Sequence, residues 1–272
     1  MKQKLSSFCS ASVLTFLILF VFTAFCVAGE NTGVIQPLAY GVKSLEKIHV
    51  EQGKDSVSKS YCRCRYPVFS AGGSAAAINA ALHGWIADST AIAPGKEYTG
   101  DRSIESLAAN FLQDYEKYRK DFPVNWPYEF ELDGSVLFNR SGVLAVGLSC
   151  YSFTGGAHGN SHTEYFVFDV RTGRRLGLRD VFIEGFEETL NKLIDRRFRQ
   201  MKGLSPEDRL DNAKGTLFEN YIHFNRNFAF TDKGVSFYYN QYEIAAYAYG
   251  PTIIDLTYHE LQEILKQEFR EL

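Results

Sequence analysis

The 272-residue sequence has little net charge, since 29 Lys and Arg side chains stand against 32 Asp and Glu, a formal charge of −3. Proteins that bind nucleic acid through its phosphates usually carry a basic excess. The composition therefore gives no indication of a nucleic-acid partner. No low-complexity tract and no repeat of fixed period is present. Without the signal peptide that is predicted below for residues 1–28, about 240 residues remain. A chain of that length can bury one large core or two modest ones.

Cysteine is scarce, with five residues, and Cys9 and Cys26 lie in the first 28. Cys62, Cys64 and Cys150 remain. A zinc site of the common kind is not indicated, because no C-x2-C pair occurs. In an oxidising compartment we expect one disulfide, between Cys150 and either Cys62 or Cys64, because neighbouring strand cysteines are awkward to bridge to each other. Buried free thiols are the alternative.

Long apolar runs are absent except at the amino terminus, where Lys2 and Lys4 precede the run from Val13 to Val27. This layout, with small residues at Ala28 and Gly29, predicts a signal peptide over residues 1–28. Its removal leaves 27 basic against 32 acidic side chains, a formal charge of −5. We therefore expect an extracytoplasmic protein, periplasmic or secreted, without a membrane segment after cleavage. An uncleaved amino-terminal membrane anchor is the alternative.

The first half of the mature chain combines strand and helix signals. Residues 57–69 alternate with period two and predict a strand with one charged face. Apolar residues at helical spacing predict helices over residues 74–89 and 103–121. An antiparallel meander is then expected, with strands at residues 128–138, 143–153 and 163–170 and a short return through Leu176 and Leu178.

The second half predicts an amphipathic helix over residues 184–202 and another helix start at Ser205-Pro206-Glu207. Two strands around Asp232-Lys233-Gly234, a strand at residues 252–256 and a closing helix with a capping box at Thr257 and Glu260 follow. The order of elements predicts an α+β fold with antiparallel sheets and packed helices.

A glycine-flanked histidine loop lies between two of the predicted strands. Gly155, Gly156, His158 and Gly159 fall within five residues, and this density of glycine points to positive φ or to close approach of another group. The turn containing Tyr242 and Tyr247 is rich in tyrosine, which can form a sugar- or protein-binding surface or pack against the sheet. We take the glycine-histidine loop with these two tyrosines as the candidate binding loop.

A pattern of apolar, acidic and turn residues follows GGAHG, at Phe168, Asp169, Thr172, Gly173, Leu176, Leu178, Asp180 and Phe182. On these residues the segment resembles a bacterial domain of unknown function, which is found in the ectodomain of the lysozyme-sensing anti-sigma factor RsiV and in the non-catalytic part of the peptidoglycan deacetylase PdaC. The tyrosine-rich turn also matches, with Gln241-Tyr242-Glu243-Ile244 in place of the usual P-Y-E-I.

The segment YPVFSAGGSAAAINAALHGWI is similar to the partner domain that precedes it in those proteins. The resemblance implies a two-part architecture like that of the RsiV ectodomain, divided here into residues 45–150 and 151–272. It also implies a module that binds lysozyme or accompanies a cell-wall enzyme. This chain has neither an obvious sigma-binding region nor a deacetylase domain, which argues against both of those activities.

His158 and His162 have the H-x3-H spacing with which polysaccharide deacetylases bind a metal, together with a T-F-D-D motif. No T-F-D-D occurs here, and Gly159 disfavours the helix that would align two imidazoles at that spacing. The P-loop lysine and a G-x-S-x-G motif are also absent. The sequence therefore predicts a non-enzymatic envelope module without a cofactor, whose ligand is a cell-wall glycan or a lysozyme-like protein. A metal-assisted hydrolase or deacetylase of envelope polysaccharide, using these two histidines, is the alternative.

Overall fold

The computed structural model describes residues 14–16, 35–50, 59–70, 72–95, 98–122 and 126–272. The described strands are β1 Leu14–Phe16, β2 Tyr40–Val50, β3 Lys59–Phe69, β4 Glu129–Arg140, β5 Val143–Phe153, β6 Asn160–Asp169, β7 Phe228–Thr231, β8 Gly234–Tyr239 and β9 Thr252–Thr257. The described helices are α1 Ala75–Ser89, α2 Ile104–Asp121, α3 Leu178–Val181, α4 Glu187–Lys202 and α5 Tyr258–Leu261. Short 3-10 turns cover Tyr247–Tyr249 and Gln267–Phe269. The α+β prediction is confirmed.

The large sheet has the strand order β1-β2-β3-β4-β5-β6. Strands β3 and β4 are parallel, whereas the other neighbours are antiparallel. A purely antiparallel sheet was expected, and that part of the expectation is wrong. The reason is the connection: α1 and α2 lie between β3 and β4, and a crossover of this length returns the chain in the same direction.

Helices α1 and α2 cover one face of the large sheet. The alternation predicted for β3 is confirmed, because Cys62 and Cys64 are buried against the helices while Arg63 and Arg65 on the opposite face are exposed. Ser103 caps α2 by accepting a hydrogen bond from the backbone NH of Ser106. The core on this face draws on both helices and on strands β3 to β6.

The carboxy-terminal half packs on the opposite face of the same sheet. Its core joins the β7-β8-β9 sheet and α4 to Val143 and Ala145 of β5 and to Val167 of β6. Helix α4 begins three residues later than predicted and ends at Gly203, which adopts a left-handed conformation with φ 61°. Strands β5 and β6 therefore contribute side chains to both cores, one core on each face.

Two local expectations are wrong, and a third, the closing helix, is confirmed in a short form. Ser205-Pro206-Glu207 forms a turn, in which the Asp208 carboxylate accepts from the Ser205 backbone NH, and no helix follows. The return strand is reduced to one bridge between Phe168 and Arg175, because Leu178 already begins α3. The closing helix has the predicted capping box but only four residues.

The expected disulfide is also wrong. Cys62, Cys64 and Cys150 are free thiols. Cys64 lies opposite Leu132 on β4, and Leu132 lies opposite Cys150 on β5. The Cα atoms of Cys64 and Cys150 are therefore two strand spacings apart, and each spacing is about 4.8 Å. The resulting separation is well beyond the roughly 7 Å that a disulfide can span. The alternative of free thiols fits this geometry.

The predicted division at residues 150 and 151 falls inside β5 and stays a prediction. Most of the predicted signal peptide lies outside the described residues. Within it the structure places β1, whose Leu14 to Phe16 pair antiparallel with Ile48 to Glu46 of β2. No helix in the described ranges is both long and apolar enough to cross a membrane.

Candidate functional site

The glycine-histidine loop connects β5 to β6 and spans residues 154–159. Gly155 and Gly156 have φ angles of 111° and 99°, in the region that side chains rarely adopt. At Gly156 no atom lies within 4 Å of the position that a Cβ would occupy. These two glycines therefore allow the chain to turn sharply between paired strands, as the sequence predicted.

Close approach of an aromatic ring accounts for Gly159 and is a second requirement at Gly155. A Cβ at Gly159 would lie 2.2 Å from the ring of Tyr151, and one at Gly155 would lie 2.5 Å from Nε1 of Trp126. The indole NH of Trp126 donates to the carbonyl oxygen of Thr154 at 3.3 Å. Two aromatic rings therefore rest directly against loop backbone, which only glycine permits.

Three aromatic side chains meet beside the loop, and we call His158, Tyr242 and Tyr247 the aromatic cluster. The His158 imidazole stacks on the Tyr247 ring with 3.9 Å between centroids and 20° between planes. The Tyr242 ring lies 5.5 Å from the Tyr247 ring and 6.4 Å from the imidazole. The two separations of the Tyr242 ring lie in the range of favourable aromatic pairs, whereas the imidazole and the Tyr247 ring are in closer, nearly parallel contact.

Hydrogen bonds to one carbonyl group hold the aromatic cluster against the loop. The Tyr247 hydroxyl donates to the carbonyl oxygen of Gly159 at 2.9 Å, and His158 Nδ1 lies 2.8 Å from the same oxygen. A carbonyl only accepts, so Nδ1 carries the proton in this arrangement. In the neutral ring Nε2 is then the acceptor, and it lies 3.5 Å from the Tyr242 hydroxyl. The histidine thus links the two tyrosines.

The Tyr242 side chain is accessible to solvent, with 57% of its surface exposed. Its φ of 66° is unusual for a bulky residue. Backbone strain of this kind concentrates at functional sites, where surrounding contacts enforce it. Glu243 provides such contacts, because its carboxylate accepts from the backbone NH of Asn240 and from the Asn225 side chain, both at 2.8 Å. The turn therefore presents an exposed ring in a fixed position.

The tyrosine-rich segment contains both buried and exposed tyrosines. Tyr239 is buried, and its hydroxyl donates to the carbonyl oxygen of His223 at 2.7 Å. Burial raises the pKa of the Tyr239 phenol far above its usual value. Tyr242 and Tyr249 are more than half exposed. Packing therefore accounts for Tyr239, and a binding surface at the exposed tyrosines stays a prediction.

His162 lies in different surroundings from His158. Its ring stacks on Trp85 at 5.9 Å, and its Nε2 is 3.8 Å from the Glu164 carboxylate, which also pairs with Arg175. Burial raises the pKa of Glu164, but hydrogen bonds from His162 and Arg175 outweigh burial and leave that pKa below its usual value. His158, by contrast, is held by Gly159 and Tyr247. The two imidazoles are not brought together as a ligand pair.

In the part of the chain that the structure describes, no group of three or more His, Cys, Asp and Glu side chains could hold a metal ion. The candidate binding residues His158, Gly159, Tyr242 and Tyr247 do converge. Gly155 lies against Trp126, and Gly156 faces open space. Sequence reasoning missed Tyr151 and Trp126 as parts of the site. Tyr151 lies in the strand next to the loop, whereas nothing in the sequence connects Trp126 with Gly155.

The fold and the loop define an α+β protein with two cores on opposite faces of one sheet and an exposed aromatic cluster at a strand connection. Residues 51–161 match the family model described as Deacetylase PdaC. Residues 179–259 match the model described as Protein of unknown function (DUF3298). The chain therefore contains a PdaC-like region followed by a DUF3298 domain, as the resemblance predicted. The particular similarity to the lysozyme-sensing ectodomain stays a prediction.

The peptidoglycan-N-acetylmuramic acid deacetylase PdaC of Bacillus subtilis is 23% identical over 175 residues. The aligned part covers 62% of this chain but only 37% of that protein. A DUF3298 family member from Bacteroides fragilis has a similar structure, with a TM-score of 0.64, 19% identity, and coverage of 86% of this chain and 98% of that one. A DUF3298 family protein from Pseudomonas aeruginosa has a TM-score of 0.60, 21% identity, and coverage of 86% and 97%. These two structures support the fold.

Proposed function

We propose that this protein is a non-enzymatic binding module of the bacterial cell envelope, positioned outside the cytoplasm, and that the aromatic cluster is its binding surface. The ligand is a cell-wall glycan, or a glycan-directed protein such as lysozyme. The observation that carries the proposal is the exposed Tyr242 ring, held in a left-handed backbone conformation beside the stacked pair of His158 and Tyr247.

The chemistry of the aromatic cluster suits a sugar. A tyrosine ring offers a flat apolar face to the C–H groups of a pyranose, and its hydroxyl can exchange hydrogen bonds with sugar hydroxyls. Tyrosine also loses little conformational entropy on binding, because it has few rotatable bonds. The cluster is already ordered by the Gly159 carbonyl group, so less ordering remains to be done when a ligand arrives.

Two further observations support an envelope ligand. The amino-terminal sequence has the layout of a signal peptide. The PdaC relative is named for deacetylation of peptidoglycan. The aligned part of this chain covers only 37% of PdaC. We therefore propose an envelope ligand for this chain but not the deacetylase activity of PdaC.

The test is a titration of the predicted mature chain, residues 29–272, with soluble peptidoglycan fragments and, separately, with lysozyme. We expect Tyr242→Ala to weaken binding about tenfold, or roughly 1.4 kcal/mol. Tyr221→Ala is the matched control, because Tyr221 is 54% exposed and lies outside the aromatic cluster. The absence of any response to both ligands would overturn the proposal. Equal losses from both variants would overturn the assignment to the aromatic cluster.

A metal-assisted deacetylase is the second candidate, because the PdaC-like match extends to residue 161 and includes His158. Metal analysis of the purified protein separates the two candidates. Stoichiometric zinc that disappears in the double variant His158→Ala, His162→Ala would favour the enzyme. Given the separate surroundings of the two imidazoles, we expect no such zinc.

A further inference from the structure

An open groove lies next to the aromatic cluster, between the large sheet and the tyrosine-rich turn. Its volume is about 350 Å³. The floor consists of polar side chains of three neighbouring strands, which are Glu131, Asp133, Ser149, Tyr151, Ser161 and Thr163. Tyr238, Asn240, Gln241 and Pro251 form the wall. Tyr151 also touches Gly159, so the groove is continuous with the site already described.

The floor side chains lie in rows across the strands. Glu131 of β4 pairs in register with Tyr151 of β5, which pairs with Ser161 of β6. Asp133, Ser149 and Thr163 form the next row. Neighbouring strands are about 4.8 Å apart, which is comparable to the length of one pyranose ring. A sugar chain that runs across the strands would therefore place each successive sugar unit over the side chain of the next strand.

Arginine side chains partly compensate the carboxylates on the floor of the groove. Arg65 pairs with Asp133 at 3.1 Å, whereas Arg63 pairs with Glu46 at 2.5 Å and lies 3.5 Å from Glu131. The Tyr61 hydroxyl donates to Glu131 at 3.0 Å, and burial together with that bond raises the pKa of Tyr61 to about 12. The two carboxylates are 48% and 66% exposed and keep free acceptor positions. Such accessible carboxylate oxygens can accept hydrogen bonds from the hydroxyl groups of a sugar.

Gln241 contributes an unsatisfied acceptor in the wall. Its Oε1 is buried and has no hydrogen-bond partner, a condition that it shares among the described residues only with Nε of Arg197. A buried acceptor without a partner is costly, and native structures usually satisfy it.

We propose that this groove is a second sugar subsite, which binds an uncharged pyranose unit next to the one that stacks on the aromatic cluster. The carboxylates of Glu131 and Asp133 accept hydrogen bonds from the sugar hydroxyls, and the Gln241 amide engages the same unit. The subsite rests on the proposed glycan-binding function. With it, the protein binds oligosaccharides of two or more sugar units more tightly than a monosaccharide.

The test measures the affinity of N-acetylglucosamine oligomers of one to four units by calorimetry. We expect affinity for the wild type to rise with chain length. The double variant Glu131→Gln, Asp133→Asn should weaken tetramer binding at least tenfold and leave the monosaccharide unaffected. Gln241→Ala should have the same selectivity with a smaller loss. Glu188→Gln is the control, because Glu188 is an exposed carboxylate in an ion pair far along the chain, on α4.

The possible outcomes separate the two proposals. If Tyr242→Ala abolishes binding while the groove variants bind tetramer as well as wild type does, the subsite is wrong and the aromatic cluster stands. If no oligomer binds, glycan recognition itself is wrong, and the subsite falls with it. Tighter binding of the cationic, de-N-acetylated tetramer would overturn the assignment of an uncharged unit. Equal thermal stability of all variants shows that lost affinity is not lost folding.

Discussion

The side chain of Asn240 forms two hydrogen bonds with the backbone of Thr163, as a neighbouring strand would. The backbone NH of Thr163 donates to Oδ1 of Asn240 at 2.8 Å, and Nδ2 of Asn240 donates to the Thr163 carbonyl oxygen at 3.0 Å. Thr163 belongs to β6, the last strand of the large sheet. An asparagine of the carboxy-terminal half therefore satisfies the open edge of this sheet and anchors the turn that carries Tyr242.

Asn240→Ala should lower the free energy of unfolding by about 1–3 kcal/mol, the usual cost of leaving a buried donor unpaired. The affected donor is the Thr163 NH, since its carbonyl oxygen still accepts from Asn227 at 2.8 Å. Urea denaturation measures the change. Asn110→Ala serves as the control, because Asn110 bonds only to Asp114 on the surface of α2. An effect no larger than that of the control would contradict the role assigned to Asn240.

Gly159→Ala should destabilise the protein by about 1–3 kcal/mol, because the new methyl group would overlap the Tyr151 ring. It should also weaken ligand binding, since the Gly159 carbonyl group organises the aromatic cluster. Thermal unfolding and titration measure the two effects. Gly177→Ala is the matched control, because Gly177 has an extended backbone and only Asp180 Oδ2, at 3.8 Å, near the added atom. Equal stability of the two variants would contradict the prediction, because it would show that the Tyr151 ring can move aside at little cost in free energy.

Glu260 should make the stability dependent on pH. Burial raises the pKa of its carboxyl group, but hydrogen bonds from Thr257 and Arg197 outweigh burial and hold that pKa below its usual value. The stabilisation is therefore complete above the pKa of the unfolded chain and is lost as the pH falls through the lower folded value. Both carboxylate oxygens accept from Arg197 at 2.8 Å.

Glu260→Gln should reduce the free energy of unfolding by about 2 kcal/mol at pH 7, and the difference from wild type should shrink toward pH 3. Denaturation curves at the two pH values measure it. Glu188→Gln should show a much smaller pH dependence. The ion pair with Lys192 also lowers the pKa of Glu188, but that pair is exposed and screened by solvent. A difference that stays constant from pH 7 to pH 3 would contradict the assignment to the carboxylate charge.

The mature chain should contain three free thiols. Mass spectrometry of alkylated, unreduced protein should find all three of Cys62, Cys64 and Cys150 modified after unfolding. In the folded state the reaction should be slow, because burial raises the pKa of the Cys150 thiol to about 11 and the other two thiols are buried. A bridge between Cys150 and either partner would require β4 to move out of the sheet.

Local patterns predicted most of the elements. Period-two alternation located β3, and apolar spacing located α1 and α2 to within one residue, because each pattern reflects one face of one element packing on a core. Signals at element ends were less reliable. Ser205-Pro206-Glu207 has the residues of a helix start, yet Asp208 accepts from the Ser205 NH and closes a turn instead.

The candidate site was only partly predictable for a different reason. Glycine density marked the loop, and tyrosine density marked the turn, but their meeting depends on contacts between residues more than 80 positions apart, such as Tyr247 with Gly159. The sequence around Trp126 does not indicate that this residue belongs to the site, because Trp126 reaches the site through a contact with Gly155, which is distant along the chain.

The α+β class, the strand alternation, the capping box and the glycine loop could be predicted, because these features depend on side chains close together along the chain. The parallel pairing of β3 and β4, the separation of the cysteines and the assembly of His158, Tyr242 and Tyr247 could not. Those features depend on which faces and edges meet when two cores form on one sheet. Local spacing does not encode that choice.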